Sequence, residues 1–308
     1  ACAEPAAEAP QTCTAWREHD DDADGAVDAR YTFSFDGQGN RVLEESDYDA
    51  DAKIDRRESW TYDEDGNQVE YDNGDFVITT TYDDDGHALV SEIRNAEGEL
   101  LVRSTSEYDE HGNRVSLRQD SDGDGVVDLA YVYTYDAADQ LVTFERDDGA
   151  DGVVDLLVRY TYDDSGNLVL AEADDGADGT VEYRLSCTYD DAGNRTALDE
   201  DTDADGVTDS RWTGEYDQRG NVLVSEGDVE ADGVVDWRWA YVYDTGRNVV
   251  EETHDDDADG TVEERWDRTF DAHDNPVSED RDEGADGVVD GRKDWRYDCP
   301  WPSLIEVE

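Results

Sequence analysis

The sequence predicts an all-β fold, an antiparallel meander of 27-residue β-hairpin repeats with about twenty-two strands. Three observations predict it. A Tyr/Phe-Asp-x-x-Gly-Asn motif, or a degenerate form of it, begins at Phe35, Tyr62, Tyr82, Tyr108, Tyr135, Tyr162, Tyr189, Tyr216, Tyr243 and Phe270, with a truncated copy at Tyr297. From Tyr135 onward every step is 27 residues. A second motif, Asp-x-Asp-x-Asp-Gly-x-x-Asp or a variant, begins at Asp20, Asp47, Asp120, Asp147, Asp174, Asp201, Asp228, Asp255 and Asp282 and keeps the same period within each run. Between the two motifs lie alternating segments of about seven or eight residues, which suits strands and is too short for helices.

Each repeat opens with an outgoing strand that ends on the motif aromatic. Counting back from it, Trp60 and Trp295 stand at minus two, Trp212, Trp239 and Trp266 at minus four, and Trp237 at minus six. Six of the eight tryptophans therefore share one face of a period-two strand, whereas a helix would scatter them. The odd positions are polar. Thr134, Thr161, Thr188 and Thr269 stand at minus one, and Arg30, Arg57, Arg103, Arg184, Arg211, Arg238, Arg265 and Arg292 at minus five.

The Gly-Asn turn reverses the chain into a return strand with Val42, Val69, Val115, Val142, Val169, Leu223, Val250 and Val277 at plus seven. Pairing this position with the motif aromatic gives a hairpin with a continuous inner face. Acids recur at plus ten, as at Glu145, Glu172, Asp199, Glu226 and Asp280. They fall on the face of the Arg series, where a solvated ladder of ion pairs is expected. Between Asp55 and Asp120 the short turns YDNGDF and RNAEGEL replace the aspartate loop.

The aspartate loops are the candidate metal sites. Their acids at positions 1, 3, 5 and 9 are Asp20, Asp22, Asp24 and Asp28; Asp47, Asp49, Asp51 and Asp55; Asp120, Asp122, Asp124 and Asp128; Asp201, Asp203, Asp205 and Asp209; Asp228, Glu230, Asp232 and Asp236; and Asp255, Asp257, Asp259 and Glu263. Three loops carry Gly149, Gly176 or Gly284 at position 3 and so offer three acids each: Asp147, Asp151 and Asp155; Asp174, Asp178 and Glu182; Asp282, Asp286 and Asp290. Calcium takes six to eight oxygens, and carboxylates this dense around a Gly turn supply them locally. Acidic turns without a specific ion are the competing reading, strongest for the Gly-substituted loops.

The Tyr-Asp-x-x-Gly-Asn motif, as in YDDSGN from Tyr162 and YDDAGN from Tyr189, resembles the YD repeats of bacterial RHS proteins and the related insecticidal-toxin shells. The resemblance covers about Asp20 to Asp298 and implies a long antiparallel sheet, coiled into a spiral. The terminal core and toxin domain of that family have no counterpart here, so a cargo-wrapping shell is not implied. The aspartate loops resemble calcium loops of the EF-hand, dockerin and thrombospondin type 3 kind. Trp212 stands at position 12 of the loop at Asp201, where an EF-hand carries a bidentate Glu, and Ala52 replaces Gly at position 6 of the second loop. Weak sites are expected, with dissociation constants on the order of 10⁻⁴ to 10⁻³ M.

Composition narrows the function. Eighty-six acids against twenty-four Lys plus Arg give a net charge of −62, which repels nucleic acid. A hydrophobic fraction of 36% with this charge argues for disorder, and the aromatic content of 10% within a strict period argues against it. No apolar run spans a membrane. The opening ACAEPAAEAPQTC reads like the residues after a removed signal peptide, so an extracellular or cell-surface location is expected, with Cys2 as a candidate for lipid anchoring. Cys2, Cys13 and Cys299 are disulfide candidates in that compartment.

No enzyme is expected. The five histidines share no spacing, and no nucleophile triad or phosphate loop stands out. The leading expectation is a secreted, calcium-stabilised structural or adhesive repeat protein, and the alternative is a calcium-dependent module holding a surface glycan. Residues 1–19 read as an N-terminal linker or edge segment, 20–298 as the repeat domain, and 299–308 as a C-terminal edge strand. Open edges at both ends predict head-to-tail self-assembly into a filament. Pro5 and Pro10 weigh against a strand in the N-terminal segment.

Overall fold

The computed structural model describes residues 13–21, 23 and 25–298 of the protein. Expectations for Cys2, Asp22, Asp24, Cys299, the segment 1–12 and the strand at 299–308 lie outside them, as does the Cys13 side chain. The described residues form twenty-two strands, with no helix among them. They fall into two compact units, whose boundaries cut the sixth and twentieth strands.

The first unit holds β1 (Cys13–Asp20), β2 (Ala29–Phe35), β3 (Arg41–Asp47), β4 (Arg56–Tyr62), β5 (Gln68–Asp72) and most of β6 (Phe76–Tyr82). Each pairs antiparallel with the next. The second unit runs through β7 (Ala88–Asn95), β8 (Leu100–Tyr108), β9 (Arg114–Asp120), β10 (Leu129–Tyr135), β11 (Leu141–Asp148), β12 (Leu156–Tyr162) and β13 (Leu168–Asp175). It continues through β14 (Tyr183–Tyr189), β15 (Arg195–Asp201), β16 (Ser210–Tyr216), β17 (Val222–Asp228), β18 (Trp237–Tyr243) and β19 (Val249–Asp255), again as an antiparallel meander. The remaining strands are β20 (Glu264–Phe270), β21 (Pro276–Glu283) and β22 (Gly291–Asp298), and the last two belong to the first unit.

Within the first unit β1 lies between β2 and β22, antiparallel to both, with Thr14 opposite Asp298 and Asp20 opposite Arg292. This corrects the expected open edges. β1 is a return strand and β22 an outgoing one, so the two are antiparallel without an intervening strand. The β1 edge reserved for a neighbouring subunit is therefore used within the chain, while the other expected edge, 299–308, lies outside the described residues.

The YD turn explains its own sequence. In the copy at Tyr189, Asp190 Oδ1 accepts from the N–H groups of Ala192 and Asn194 at 2.9 Å each. The Asn194 side-chain amide donates to Asp190 Oδ2 at 2.8 Å. Gly193 takes a φ of 85°, the left-handed region where glycine carries no Cβ penalty. The degenerate copies adopt the same conformation at Asp139, Arg247 and Asp274.

A β-bulge follows eight of these turns and corrects the predicted register. Tyr135 pairs with Leu141 at plus six while Thr134 pairs with Thr143, which leaves Val142 as the extra residue. The same shift occurs at Phe35, Tyr62, Tyr108, Tyr162, Tyr189, Tyr216 and Tyr243. The plus-seven residues are thus not the inner partners of the aromatics, and Leu223 and Val277 among them are exposed.

Strand alternation stands as predicted. In β18, Trp237, Trp239 and Tyr241 are half-buried while Arg238 and Val242 are exposed. All six even-position tryptophans are half-buried rather than sealed. The buried apolar side chains among the described residues are Ala15, Ala29, Phe33, Phe35 and Cys187. A single antiparallel sheet covers its aromatic face mainly with cross-strand neighbours, such as Phe144 beside Tyr133 or His254 stacked on Trp239 at 3.9 Å.

The polar face carries the expected ladder. Arg30, Arg57, Arg103, Arg184, Arg211, Arg238 and Arg292 pair with Glu18, Glu45, Glu92, Glu172, Asp199, Glu226 and Asp280 across adjacent strands. The arginines are mostly exposed, so each pair contributes about 1 kcal/mol or less. The repetition sets register more than stability.

Candidate calcium loops

Every loop joins a return strand to the next outgoing strand and is closed by its own acids. The N–H of position 9 bonds to the carbonyl of the residue before position 1, as in Asp209 to Glu200 at 2.7 Å. The position-1 carboxylate accepts from the N–H of position 6, at 2.9 Å in Asp201–Gly206 and in Asp47–Ala52. The position-9 carboxylate accepts from the N–H of position 2, at 2.7 Å in Asp209–Thr202. Position 5 accepts from position 7, as in Asp205–Val207 at 2.8 Å. In most loops both position-1 oxygens fasten the backbone, as Asp47 does to the N–H groups of Asp51 and Ala52 and Asp120 to those of Gly123 and Gly125, whereas at Asp201 only Oδ2 does so.

This closure needs left-handed residues at positions 4 and 6. Position 4 is Ala23, Ala50, Ala150, Ala177, Ala204, Ala231, Ala258 or Ala285, all with φ between 46° and 54°. The loop at Asp120 has Gly123 there instead, and a Cβ on it would lie 2.1 Å from the Leu100 carbonyl oxygen, so only glycine fits. Ala52 at position 6 takes a φ of 70° and preserves the loop frame without glycine.

Position 1 is the most buried acid. Asp47, Asp120, Asp174, Asp201, Asp255 and Asp282 are all buried. Burial pushes the Asp120 carboxyl up, but the N–H groups of Gly125 and Gly123 outweigh it and hold the pKa below the ordinary value. The Asp209 carboxyl is held low by the Thr202 hydroxyl and N–H.

The loops differ in which acids converge. One carboxylate oxygen from each of Asp47, Asp49 and Asp55 lies within 4.8 Å of the others, and the same holds for Asp120, Asp122 and Asp128 and for Asp201, Asp203 and Asp209. Asp255, Asp257, Asp259 and Glu263 form a set of four. Two calcium ligands on opposite sides of one ion stand about 4.6 to 5.2 Å apart, so these spacings suit calcium. Asp51, Asp124 and Asp205 at position 5 are not part of these sets. Among the described residues, the acids of the loops at Asp147, Asp174, Asp228 and Asp282 are not gathered in this way, and Asp22 and Asp24 of the loop at Asp20 lie outside the described residues. Each convergent set has Asp at position 3.

Asp201 has a further property. Its Oδ2 takes the Gly206 N–H, whereas its Oδ1 is buried and has no hydrogen-bond partner. Leaving such an oxygen unpaired in a residue only 9% exposed costs about 1–3 kcal/mol or more.

Sequence reasoning missed the arginine contribution to these loops. Arg184 Nη1 donates to the carbonyl of Ala204 at 2.9 Å, and Arg30 Nη1 to that of Ala50 at 3.0 Å. The signal was a constant spacing of twenty residues between Arg at minus five and Ala at position 4.

No family model matches the chain, and no curated protein matches it. Among solved structures, a crystal structure of TcdB2-TccC3-Cdc42 aligns at 15% identity and a TM-score of 0.45, over 89% of this chain and 16% of that one. A Photorhabdus luminescens Tc holotoxin pore aligns at 14% identity and 0.45, over 90% and 16%. A porin-like protein from Bacteroides uniformis aligns at 10% identity and 0.34, over 92% and 97%. The chain therefore spans a small fraction of the toxin components and nearly the whole of the porin-like protein.

Proposed function

We propose that the protein is a calcium-stabilised structural or adhesive β-repeat protein that works outside the cell. The supporting observation is Asp201 Oδ1, a buried carboxylate oxygen without a partner, in a residue whose carboxylate converges with those of Asp203 and Asp209. A divalent cation supplies the missing partner and offsets local repulsion in a chain of net charge −62. Millimolar calcium belongs to extracellular fluids, where sites of this affinity fill. At 1 mM ion and a dissociation constant of about 10⁻⁴ M, each site adds about 1.4 kcal/mol to the folded state.

The test is thermal melting in 1 mM calcium and in excess chelator. Four filled loops should raise Tm by at least about 5 °C. The Asp201→Asn variant should recover only part of that rise. A wild-type Tm that is identical in calcium and chelator rejects the reading.

A further inference from the structure

The nine loops share a frame but differ at position 3. Gly149, Gly176 and Gly284 have φ values of 86°, 79° and 85°, and each is followed by a left-handed alanine, Ala150, Ala177 or Ala285. Asp49, Asp122, Asp203 and Asp257 are not among the positive-φ residues. Two successive left-handed residues redirect the backbone in the Gly loops, and that redirection has a visible result.

The Gly149 N–H donates to the carbonyl of Asp128 at 2.5 Å, and the Gly176 N–H to that of Asp155 at 2.6 Å. The acceptors are the position-9 carbonyls of the preceding loops. Successive loops stand two strands apart, about 9 to 10 Å. These bonds are therefore backbone links between neighbouring loops, running from Asp120 through Asp147 to Asp174.

The loop at Asp174 has a second peculiarity. Asp174 is fully buried, and both its oxygens take the Gly179 N–H at 3.2 Å. The Arg159 guanidinium stands 3.5 Å from its Oδ2. Eight of the eleven copies place Arg at minus five, but here that position is Leu157, as it is Ala130 in the repeat before, and the cation comes from minus three. A carboxylate sealed from water needs a counter-charge, and this one has it within the chain.

We infer that the loops beginning at Asp147 and Asp174 are ion-independent staples. The position-3 amide tied to the preceding loop, reinforced at Asp174 by Arg159, performs the bracing that calcium performs where position 3 is Asp. The contrast with the Asp loops rests on the calcium reading, but the staples themselves do not. The array then contains two kinds of clamp, and calcium acts on only some of its hairpins.

Two measurements test this on the full chain. Native mass spectrometry in calcium compares Asp203→Asn, at position 3 of a convergent loop, with Asp178→Asn, at position 5 of a staple loop. Asp203→Asn should lose one ion and Asp178→Asn none, whereas loss of an ion in Asp178→Asn overturns the inference. The second is melting of Gly176→Ala, which puts a Cβ on a left-handed residue. Its Tm should fall by about 2 to 4 °C, and by the same amount in calcium and in chelator. A fall that depends on calcium, or no fall, overturns the inference. A wild-type protein that carries no ion removes the calcium reading, and the melting comparison then decides the staple alone.

Discussion

The hydroxyl of Tyr162 donates to the backbone carbonyl of Leu141 at 2.8 Å, and so ties one hairpin to the one before it. Tyr62, Tyr135, Tyr189 and Tyr216 repeat the tie to Arg41, Arg114, Leu168 and Arg195, each twenty-one residues earlier. The acceptor is the first residue after the preceding YD turn, where the bulge begins. Tyr162→Phe keeps the ring and removes the bond. It should cost about 1 kcal/mol or less, since water reaches the vacated carbonyl. Urea unfolding of the variant measures it, and a cost above about 2 kcal/mol would mean that the ring itself had moved.

Tyr183 gives an optical test of the inner face. Burial, followed by its hydrogen bond to Glu200 at 2.9 Å, pushes its pKa from 10.0 up to about 12. Ionisation is disfavoured in the folded state, so this contribution to stability is complete below about pH 10 and is lost as pH rises towards 12. Absorbance titration of Glu200→Gln against wild type should show one tyrosine ionising earlier in the variant. Superimposable curves would contradict the assignment.

Asp190 tests the YD turn at the acid end. The Asn194 side chain, followed by its N–H, holds the Asp190 carboxyl below its ordinary value of 3.8. Its contribution is therefore full above that value and is lost as pH falls through the lower folded pKa. Carbon-detected NMR should place the midpoint of Asp190 below 3.8, and Asn194→Ala should move it up. An unmoved midpoint would assign the shift to the backbone alone.

Packing on the aromatic face is checked at Gly227. A Cβ there would lie 2.1 Å from the Trp237 ring. Gly227→Val should displace the indole and destabilise the fold by about 1–3 kcal/mol. Loss of near-ultraviolet circular dichroism together with a lower Tm would report both effects. An unchanged spectrum would place Trp237 elsewhere.

Much of this architecture is legible in the residues. The period, the strand number and the closing acids follow from motifs whose Asp and Gly are required by backbone geometry, as at Asp190 and Gly193. The register at Tyr135 was off by one because a bulge adds a residue without changing the alternation that follows. The half-buried state of Trp239 was not legible either, since alternation tells which face a ring is on but not what covers it. Among the loops, Ala52 was the misleading departure. It adopts the glycine conformation and its loop converges, whereas Gly149 and Gly176 change the loop's backbone at position 3.

The pairing of β1 with β22 frees the gene from a fixed starting point. Thr14 lies opposite Asp298, so the outer ends of these two strands are neighbours, and a linker of a few residues put in place of residues 1–12 and 299–308 can join them as an ordinary hairpin connection. New termini can then open in an exposed turn, for example between Ser165 and Gly166. Such a circular permutant retains every strand neighbour while changing which hairpin leaves the ribosome first. The order of synthesis and the order of assembly thereby become separable.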